Sequence, residues 1–183
     1  NNVVCHGIPD ENEILREGDI INVDVSTILN GYFSDASRMF TIGEITPRAE
    51  KLVRVTRECV ELGLAAAKPW GHLGDIAWAI NSHAQANGYS VVEDIGGHGI
   101  GLEFHEEPFV SYVTPKGSEM VLVPGMMFTI EPMINVGTHK TKQMPDGWLV
   151  VTRDGMPSAH FEKTVAIKKA KQKGLCRCIV LFC

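Results

Sequence analysis

Four acidic residues have positions at which they could bind metal ions or move protons: Asp24, Asp35, Glu131 and Glu162. Each lies in a stretch that alternates polar and apolar residues, on the side opposite to the apolar ones. Carboxylates crowded on one sheet face repel one another and lose solvation, so divalent cations between them would stabilise the arrangement. Each acid alone is also consistent with a solvated surface position, but the four together favour a metal site.

A predicted β-hairpin carries the first two acids. The stretch Asp19–Val25 has the period of a half-buried strand, and Tyr32–Thr41 returns as a second strand. Between them, Asn30 and Gly31 suit the two positive-φ positions of a type I′ turn. The two strands are therefore expected to be antiparallel neighbours.

The turn also predicts the register of this hairpin. If Leu29 pairs with Tyr32 across the two-residue turn, Asp24 lies opposite Ser37. Asp35 is then the diagonal neighbour of Asp24, with the two backbones about 7–8 Å apart. Both carboxylates point from the same face and are close enough to meet.

A glycine-rich stretch at residues 96–101 surrounds His98. Its glycines permit unusual dihedrals and a close approach of the backbone. The stretch lacks the G-x-G-x-x-G spacing of a phosphate-binding loop, whereas a histidine on a loop is a common metal ligand. A lone histidine in such a loop can also be structural. His105 and His6 are further candidates, for supporting the ligands or contacting a substrate.

Two amphipathic helices and several strands complete the predicted elements. Thr46 suits the N-cap and Pro47 the first position of one helix, and a second helix is predicted at Asp75–Asn87, ending before Gly88. Its inward-facing residues are predicted to be Ile76, Ala79, Ile80 and His83. Further strands are predicted at Tyr89–Glu93, Met127–Pro132, Trp148–Thr152 and Phe161–Ile167. The fold class is α+β, with helices on one face of a mainly antiparallel sheet.

The composition is that of an ordinary soluble protein. The 183 residues are 44% hydrophobic and 21% charged, and the net charge of -5 provides no basic face for DNA or an anionic membrane. The longest apolar stretch is interrupted by Pro124 and Gly125 and is shorter than the roughly 20 residues of a membrane helix. Five cysteines at irregular spacing, without a signal peptide, predict a reducing cytoplasm.

In order and spacing, these motifs resemble the type I methionine aminopeptidases, which have the pita-bread fold, from Asn1 to about Ile167. The chain begins inside a strand-like run, Val3–Cys5, so we expect it to lack the first segment of that family. The segments that carry the resemblance are Cys5–Pro9, Asn22–Val25, Gly31–Arg38, Gly97–Gly101, Phe104–Pro108, Phe128–Met133 and Asp146–Trp148.

The resemblance implies a domain organisation and an activity. Residues 1–167 would be a metallo-aminopeptidase catalytic domain, partial at its amino terminus, with helices on the outer face of a curved antiparallel sheet. Residues 168–183 would be a divergent basic tail containing cysteines. The domain would act as a monomer and remove the N-terminal methionine of nascent proteins and peptides, by means of a hydroxide bridging two divalent metals.

The resemblance also implies roles for individual residues. Glu131 would move the proton to the leaving amine, His105 would support the developing oxyanion, and His6 would contact the scissile amide region. Phe104 and Trp148 would line the pocket for the methionine side chain. The ions would be Co, Mn, Fe or Zn, since carboxylates with one imidazole suit all four. Their ligands would be Asp24, Asp35, His98, Glu131 and Glu162, with Asp35 and Glu162 bridging the two ions.

Three alternatives remain open at the level of the sequence. An aminopeptidase P or prolidase-like enzyme would use the same five ligands on a substrate with proline. A pita-bread protein without catalysis would be a binding module for protein or RNA. A transient contact between the basic tail and ribosomal RNA is a further hypothesis about partners.

Overall fold

The computed structural model describes residues 1–168 and the backbone of residues 179–180. Most of the predicted tail at residues 168–183 therefore lies outside the described residues, and its role stays a prediction. The helices are α1 (Pro47–Ala66) and α2 (Leu73–Ala86). The strands are β1 (Val3–Cys5), β2 (Ile20–Leu29), β3 (Tyr32–Thr41), β4 (Ser90–Val91), β5 (Gly97–Gly99), β6 (Glu106–Val110), β7 (Met127–Ile130), β8 (Met133–Asn135), β9 (Thr141–Gln143), β10 (Val150–Thr152), β11 (Ser158–His160), β12 (Glu162–Ala166) and β13 (Ile179–Val180).

The largest sheet carries the predicted acids. Its strands follow the order β2-β3-β12-β7-β5-β6, and β13 pairs with β12 beside this path. Two three-stranded sheets have the orders β1-β10-β9 and β11-β8-β4. The strand pairs of the described residues are antiparallel. The predicted α+β class with an antiparallel sheet is confirmed.

The hairpin of β2 and β3 has the predicted turn and register. Leu29 pairs with Tyr32, and the turn residues Asn30 and Gly31 have φ angles of 52° and 84°. The pairing runs from this turn to Ile20, so β2 is longer at its carboxyl end than the predicted strand. A tight turn of this type joins directly to paired residues, which extends the ladder to the turn itself.

The helix ends agree with the predicted caps. The Thr46 side chain accepts a hydrogen bond from the backbone N–H of Ala49, and Pro47 opens α1. Gly88 follows α2 with a φ of 82°. The second helix begins earlier than predicted because the Asp75 carboxylate accepts a hydrogen bond from the backbone N–H of His72 and caps the first turn.

The inward face of α2 differs in part from the prediction. Ile76 and Ile80 are fully buried, whereas Ala79 and His83 are only half-buried. His83 lies at the edge of the contact between the helices, where its Nε2 is 2.8 Å from Oε2 of Glu58 on α1. This position keeps the polar ring hydrogen-bonded, which a place inside the apolar core would not.

The helices cover one face of the largest sheet and thereby determine which side chains point to the opposite face. Leu52 and Val55 of α1 belong to the same buried cluster as Phe128 of β7 and Val165 of β12. Burying each of these side chains contributes about 1.5–3 kcal/mol, so this face of the sheet is firmly packed. Because successive residues of a strand point to opposite faces, neighbouring positions on β7 and β12 point away from the helices.

One predicted strand ends earlier than expected. The stretch Met127–Pro132 ends as β7 at Ile130, and the chain continues into β8 in a different sheet. Pro132 has no N–H with which to extend the ladder. Glu131 therefore lies at the point where the chain leaves the largest sheet. Within the part of the chain that is described, neither helix is long and apolar enough to cross a membrane.

Candidate metal centre

Asp24 and Glu162 lie on either side of the same residue. Ser37 of β3 pairs with Asp24 of β2 on one side and with Glu162 of β12 on the other. Directly paired residues point to the same face of a sheet. Ser37 is small and buried, so the two carboxylates extend over it from both sides.

Asp35 joins this face because it lies two residues before Ser37 on the same strand. Its backbone N–H donates to Oγ1 of Thr164 at 2.9 Å, and the Thr164 hydroxyl donates to the carbonyl oxygen of Asp35 at 2.7 Å. The Ser26 hydroxyl donates to the carboxylate of Asp35 at 3.2 Å. Asp35 is thus a buried acid whose position is held by two neighbouring strands.

Glu131 reaches the same cluster from the end of β7. Its backbone N–H donates to the hydroxyl oxygen of Tyr112 at 2.7 Å, and the Thr129 hydroxyl donates to its Oε1 at 2.6 Å. Ile130 pairs with Lys163 in an antiparallel ladder. The residue after Ile130 therefore lies opposite the residue before Lys163, which brings Glu131 beside Glu162. Tyr112 was not among the predicted site residues, because no local pattern links it to Glu131.

His98 enters from β5 and not from a loop as expected. Its backbone N–H donates to Oγ1 of Thr129 at 3.0 Å, and its Nδ1 is 2.8 Å from the carbonyl oxygen of Gly99. A proton on Nδ1 satisfies that carbonyl and leaves the lone pair of Nε2 available for a metal. This Nε2 is 3.6 Å from Oε1 of Glu131.

The glycines around His98 serve close packing. Gly97 and Gly99 are absent from the positive-φ residues of the chain, so the expected unusual dihedrals are not what these positions require. A Cβ on Gly97 would collide with the carbonyl oxygen of Thr129, and one on Gly99 with that of Glu107. The expected close backbone approach is therefore confirmed, and it brings His98 against β7.

The candidate ligand atoms form two groups that share one residue. Those of Asp35, His98 and Glu162 lie within 4.8 Å of one another, and so do those of Glu131, His160 and Glu162. Asp24 adjoins both groups through a hydrogen bond with Glu162. The fold thus brings all five predicted ligands together.

His160 is the site residue that sequence reasoning missed. It lies two residues before Glu162, which is the spacing of side chains on one face of an extended chain. That spacing was an available signal, but the stretch Ser158–His160 was not predicted as a strand.

Burial and mutual repulsion disfavour the charged forms of these acids. Burial, then the charge of Asp35, raises the pKa of Asp24 to about 6, although one side of this carboxylate is open to solvent. Burial raises the pKa of Glu131 to about 8 against the hydrogen bond from Thr129. Burial and the three other acids raise the pKa of Glu162 well above its usual range. Cations held among these carboxylates would stabilise their ionised forms.

The histidines of the cluster are suited to metal binding. Burial lowers the pKa of His98, and burial followed by the charge of His6 lowers the pKa of His160 to about 4. Both rings are therefore neutral at pH 7, the form in which imidazole binds metals. Among the described residues, Nε2 of His160 and Oε1 of Glu162 are buried without a hydrogen-bond partner. Such unpaired atoms are rare in proteins, and a bound cation would satisfy both.

Aromatic rings line one side of the cluster. The His105 ring lies 4.3 Å from the rings of both His98 and Phe104, measured between centroids. Phe33 lies 5.7 Å from Phe104 and extends this apolar wall, although it was not predicted. The fold therefore brings the predicted residues Phe104 and His105 directly to the candidate ligand His98.

A second aromatic pair lies nearby. The ring of His6 stacks on Trp148 with centroids 5.2 Å apart, and His6 has a left-handed φ of 58°. Burial and the charge of His105 lower the pKa of His6. Phe104 and Trp148 thus belong to two separate ring contacts on either side of these histidines.

The order of the motifs and the cluster of carboxylates and imidazoles correspond to one known family. The profile of metallopeptidase family M24 matches residues 1–169. The chain belongs to this family. Membership implies the use of divalent metal, and the buried oxygen and nitrogen donors of the cluster fit such ions.

The most similar relatives include bacterial methionine aminopeptidases. Methionine aminopeptidase A of Synechocystis sp. PCC 6803 is 53% identical over 167 residues, which are 91% of this chain and 66% of that protein. The methionine aminopeptidase of Escherichia coli K12 is 46% identical over 91% of this chain and 63% of its own length. This chain thus spans slightly less than two thirds of the length of these relatives.

Solved structures show the same fold. Methionine aminopeptidase from Rickettsia prowazekii superposes with a TM-score of 0.92 and 41% identity, over 98% of this chain and 70% of that one. Methionine aminopeptidase from Thermotoga maritima superposes with a TM-score of 0.93 and 37% identity, also over 98% of this chain and 70% of that one. Prolidase from Pyrococcus furiosus superposes with a TM-score of 0.70 and 24% identity, over 93% of this chain and 43% of that one. This similarity shows the fold alone. The expected pita-bread fold is confirmed.

Proposed function

We propose that this family M24 chain removes the N-terminal methionine from proteins and peptides, as a metal-dependent aminopeptidase with two divalent ions. The observation that carries the proposal is the convergence of five predicted ligands from separate segments of the chain. Four of them lie in two ligand groups that share Glu162, and Asp24 adjoins both groups through its hydrogen bond with Glu162. The identity of 53% and 46% to two methionine aminopeptidases supports the choice of substrate.

The ligand set is proposed to hold the ions in the arrangement that the family resemblance implies. When bound, the two ions lower the pKa of a water molecule and polarise the scissile carbonyl. The mixture of carboxylates with imidazole suits Mn, Fe, Co or Zn. The ligands are Asp24, Asp35, His98, Glu131 and Glu162.

Three residues are proposed to act on the substrate and the attacking water. Glu131 accepts the proton of the water at its carboxylate and delivers it to the leaving amine, a role that its raised pKa suits. His105, beside His98, supports the developing oxyanion. His6 contacts the scissile amide and is held by its stacking on Trp148.

The methionine side chain is proposed to lie against the aromatic residues. Phe104 is backed by Phe33, and Trp148 is half-exposed beside His6. Apolar rings on both sides of the histidines would admit an unbranched thioether, and thioethers make favourable contacts with aromatic rings. A cytoplasmic location, a monomeric state and a ribosome contact stay predictions from the sequence.

A prolidase-like activity is the second candidate within the fold. The prolidase structure is only 24% identical to this chain, compared with 41% and 37% for the two methionine aminopeptidase structures. We therefore favour methionine over proline in the substrate. A binding module without catalysis is the third candidate, and retention of all five ligands disfavours it.

The test is release of free methionine from the peptide Met-Ala-Ser in the presence of Mn or Co. Leu-Ala-Ser and Ala-Pro substrates are compared in parallel, together with an Asp24→Ala variant. An Asp94→Ala variant, at an exposed position, serves as the matched control. We expect methionine release that Asp24→Ala abolishes and Asp94→Ala leaves unchanged. Faster cleavage of Ala-Pro would favour the prolidase-like candidate, and cleavage of neither substrate by the folded, metal-loaded protein would favour the binding module.

A further inference from the structure

His160 is held firmly beside the proposed metal ligands. It lies on β11, pairs with Met133 of β8 and is 4% exposed. Its carbonyl oxygen accepts a hydrogen bond of 2.6 Å from Nδ2 of Asn22, and the same amide nitrogen donates to Ser37 at 3.1 Å. Asn22 therefore links the backbone of His160 to the strands that carry the carboxylates.

The ring nitrogen of His160 faces a carboxylate at the spacing of two ligands. Its Nε2 is 3.8 Å from Oε2 of Glu131, which is longer than a hydrogen bond. Two donor atoms that bind one ion at about 2.0–2.2 Å lie roughly 3–4 Å apart. The Nε2 of His98 lies at a similar distance, 3.6 Å, from the other carboxylate oxygen of Glu131, Oε1. The Glu131 carboxylate thus lies between two imidazoles at similar distances.

Two buried atoms of this cluster lack a hydrogen-bond partner among the described residues. Nε2 of His160 and Oε1 of Glu162 are buried, and neither has a hydrogen-bond partner within the described part of the chain. Both residues belong with Glu131 to one group of candidate ligands. The other group contains Asp35, His98 and again Glu162. Each group therefore contains one imidazole and two carboxylates.

We propose that His160 is a sixth protein ligand, whose Nε2 binds the same ion as Glu131 and Glu162. This inference rests on the metal centre of the proposed function and adds a residue outside the five implied ligands. His160 thereby adds a second imidazole, beside that of His98, to the carboxylates of the site. Nitrogen donors favour Co, Fe or Zn over ions that prefer oxygen alone.

The first test counts the bound imidazoles directly. In proton NMR of the chain loaded with Co(II), the ring N–H of each metal-bound histidine gives a strongly shifted signal that disappears in D2O. We expect two such signals, and only one after His160→Gln. The matched control is His139→Gln, a half-exposed histidine that pairs with Glu93 at 2.9 Å, which should leave both signals. One signal in the unaltered chain would overturn the proposal.

The second test measures Co(II) affinity by calorimetry. We expect His160→Gln to weaken binding of one ion by more than about 100-fold, beyond the roughly 10- to 100-fold loss typical of a residue that only supports a ligand. His139→Gln should leave the affinity unchanged. Circular dichroism and thermal unfolding in EDTA check that the variants fold. Unchanged affinity for both ions in a folded His160→Gln variant would exclude metal ligation by this residue. Absence of any Co(II) binding by the unaltered chain would instead overturn the metal centre, and with it the proposed function.

Discussion

Thr164 holds Asp35 from both sides of its backbone. The Asp35 N–H donates to Oγ1 of Thr164 at 2.9 Å, and the same hydroxyl donates to the Asp35 carbonyl oxygen at 2.7 Å. Thr164 is fully buried, so no water replaces these bonds. A side chain outside the proposed ligand set therefore determines where the proposed ligand Asp35 lies.

We expect Thr164→Val to destabilise the protein and to weaken metal binding. Valine keeps the shape but leaves a buried N–H and a buried carbonyl unpaired, at a cost of about 1–3 kcal/mol each. Chemical denaturation measures the free energy of unfolding, and calorimetry with Mn measures the affinity. Thr164→Ser keeps the hydroxyl and is the matched control. Equal stability and affinity for the two variants would show that the hydroxyl does not position Asp35.

Replacement of Glu131 by Gln is expected to lower kcat by about 100- to 10,000-fold, the usual contribution of a general acid–base residue. The amide keeps the size of the side chain and one oxygen but cannot accept the proton of the attacking water. Initial rates on Met-Ala-Ser at saturating metal give kcat and KM. Glu61→Gln, at an exposed position on α1, is the control. A variant with full kcat would remove Glu131 from the proton transfer.

A side chain at Gly97 is expected to disturb His98. The Cβ of Gly97→Ala would meet the carbonyl oxygen of Thr129, and relieving such a collision in a packed region costs about 1–3 kcal/mol. At Gly101 the nearest atom would be the Glu106 carboxylate at 3.3 Å, the end of a flexible side chain. Thermal unfolding should therefore show a larger loss for Gly97→Ala than for Gly101→Ala. The reverse order would contradict the proposed packing of β5 against β7.

Chelation is expected to reverse the effect of pH on stability. Burial and neighbouring acids raise the pKa of Asp24 from 3.8 to about 6, and burial raises that of Glu131 from 4.5 to about 8. A folded-state pKa above the unfolded value means that the folded protein binds more protons, so these acids contribute stability that falls as pH rises from about 4 to 8. The lowered pKa values of His98 and His160 act in the opposite direction below about pH 7, so the acids decide the trend between pH 7 and 8. Bound metal favours the ionised acids, so the stability that metal adds should increase over the same range.

Thermal midpoints measured between pH 7 and 8, with EDTA and with excess Mn, check this expectation. In EDTA the thermal midpoint of the Glu131→Gln variant should depend less on pH, because one of the groups with a raised pKa is removed. The exposed-site variant Glu61→Gln should behave like the unaltered chain. A midpoint in EDTA that rises with pH would contradict the raised pKa values of the cluster.

The sequence alone determined the hairpin and the helix caps. Asn30 and Gly31 fix a turn type, and the two-residue period of the flanking strands then fixes the register that sets Asp24 opposite Ser37. These relationships involve residues close along the chain, so local backbone preferences decide them. Strand alternation marked the four acids, and the glycine-rich stretch marked His98, as candidate ligands. The resemblance of the motifs to a family then joined the five into one ligand set.

The tertiary structure decided how the remaining residues meet. Pairing of β12 with β3 and β7 brings Glu162 between Asp35 and Glu131, and departure of the chain into β8 places Glu131 at a sheet end. His160 joins them through β11, which was not predicted as a strand. Such contacts join segments that are distant along the chain, 33 residues apart for Lys163 with Ile130 and 125 for Glu162 with Ser37. They form because the packed helices fix which face of the sheet is buried.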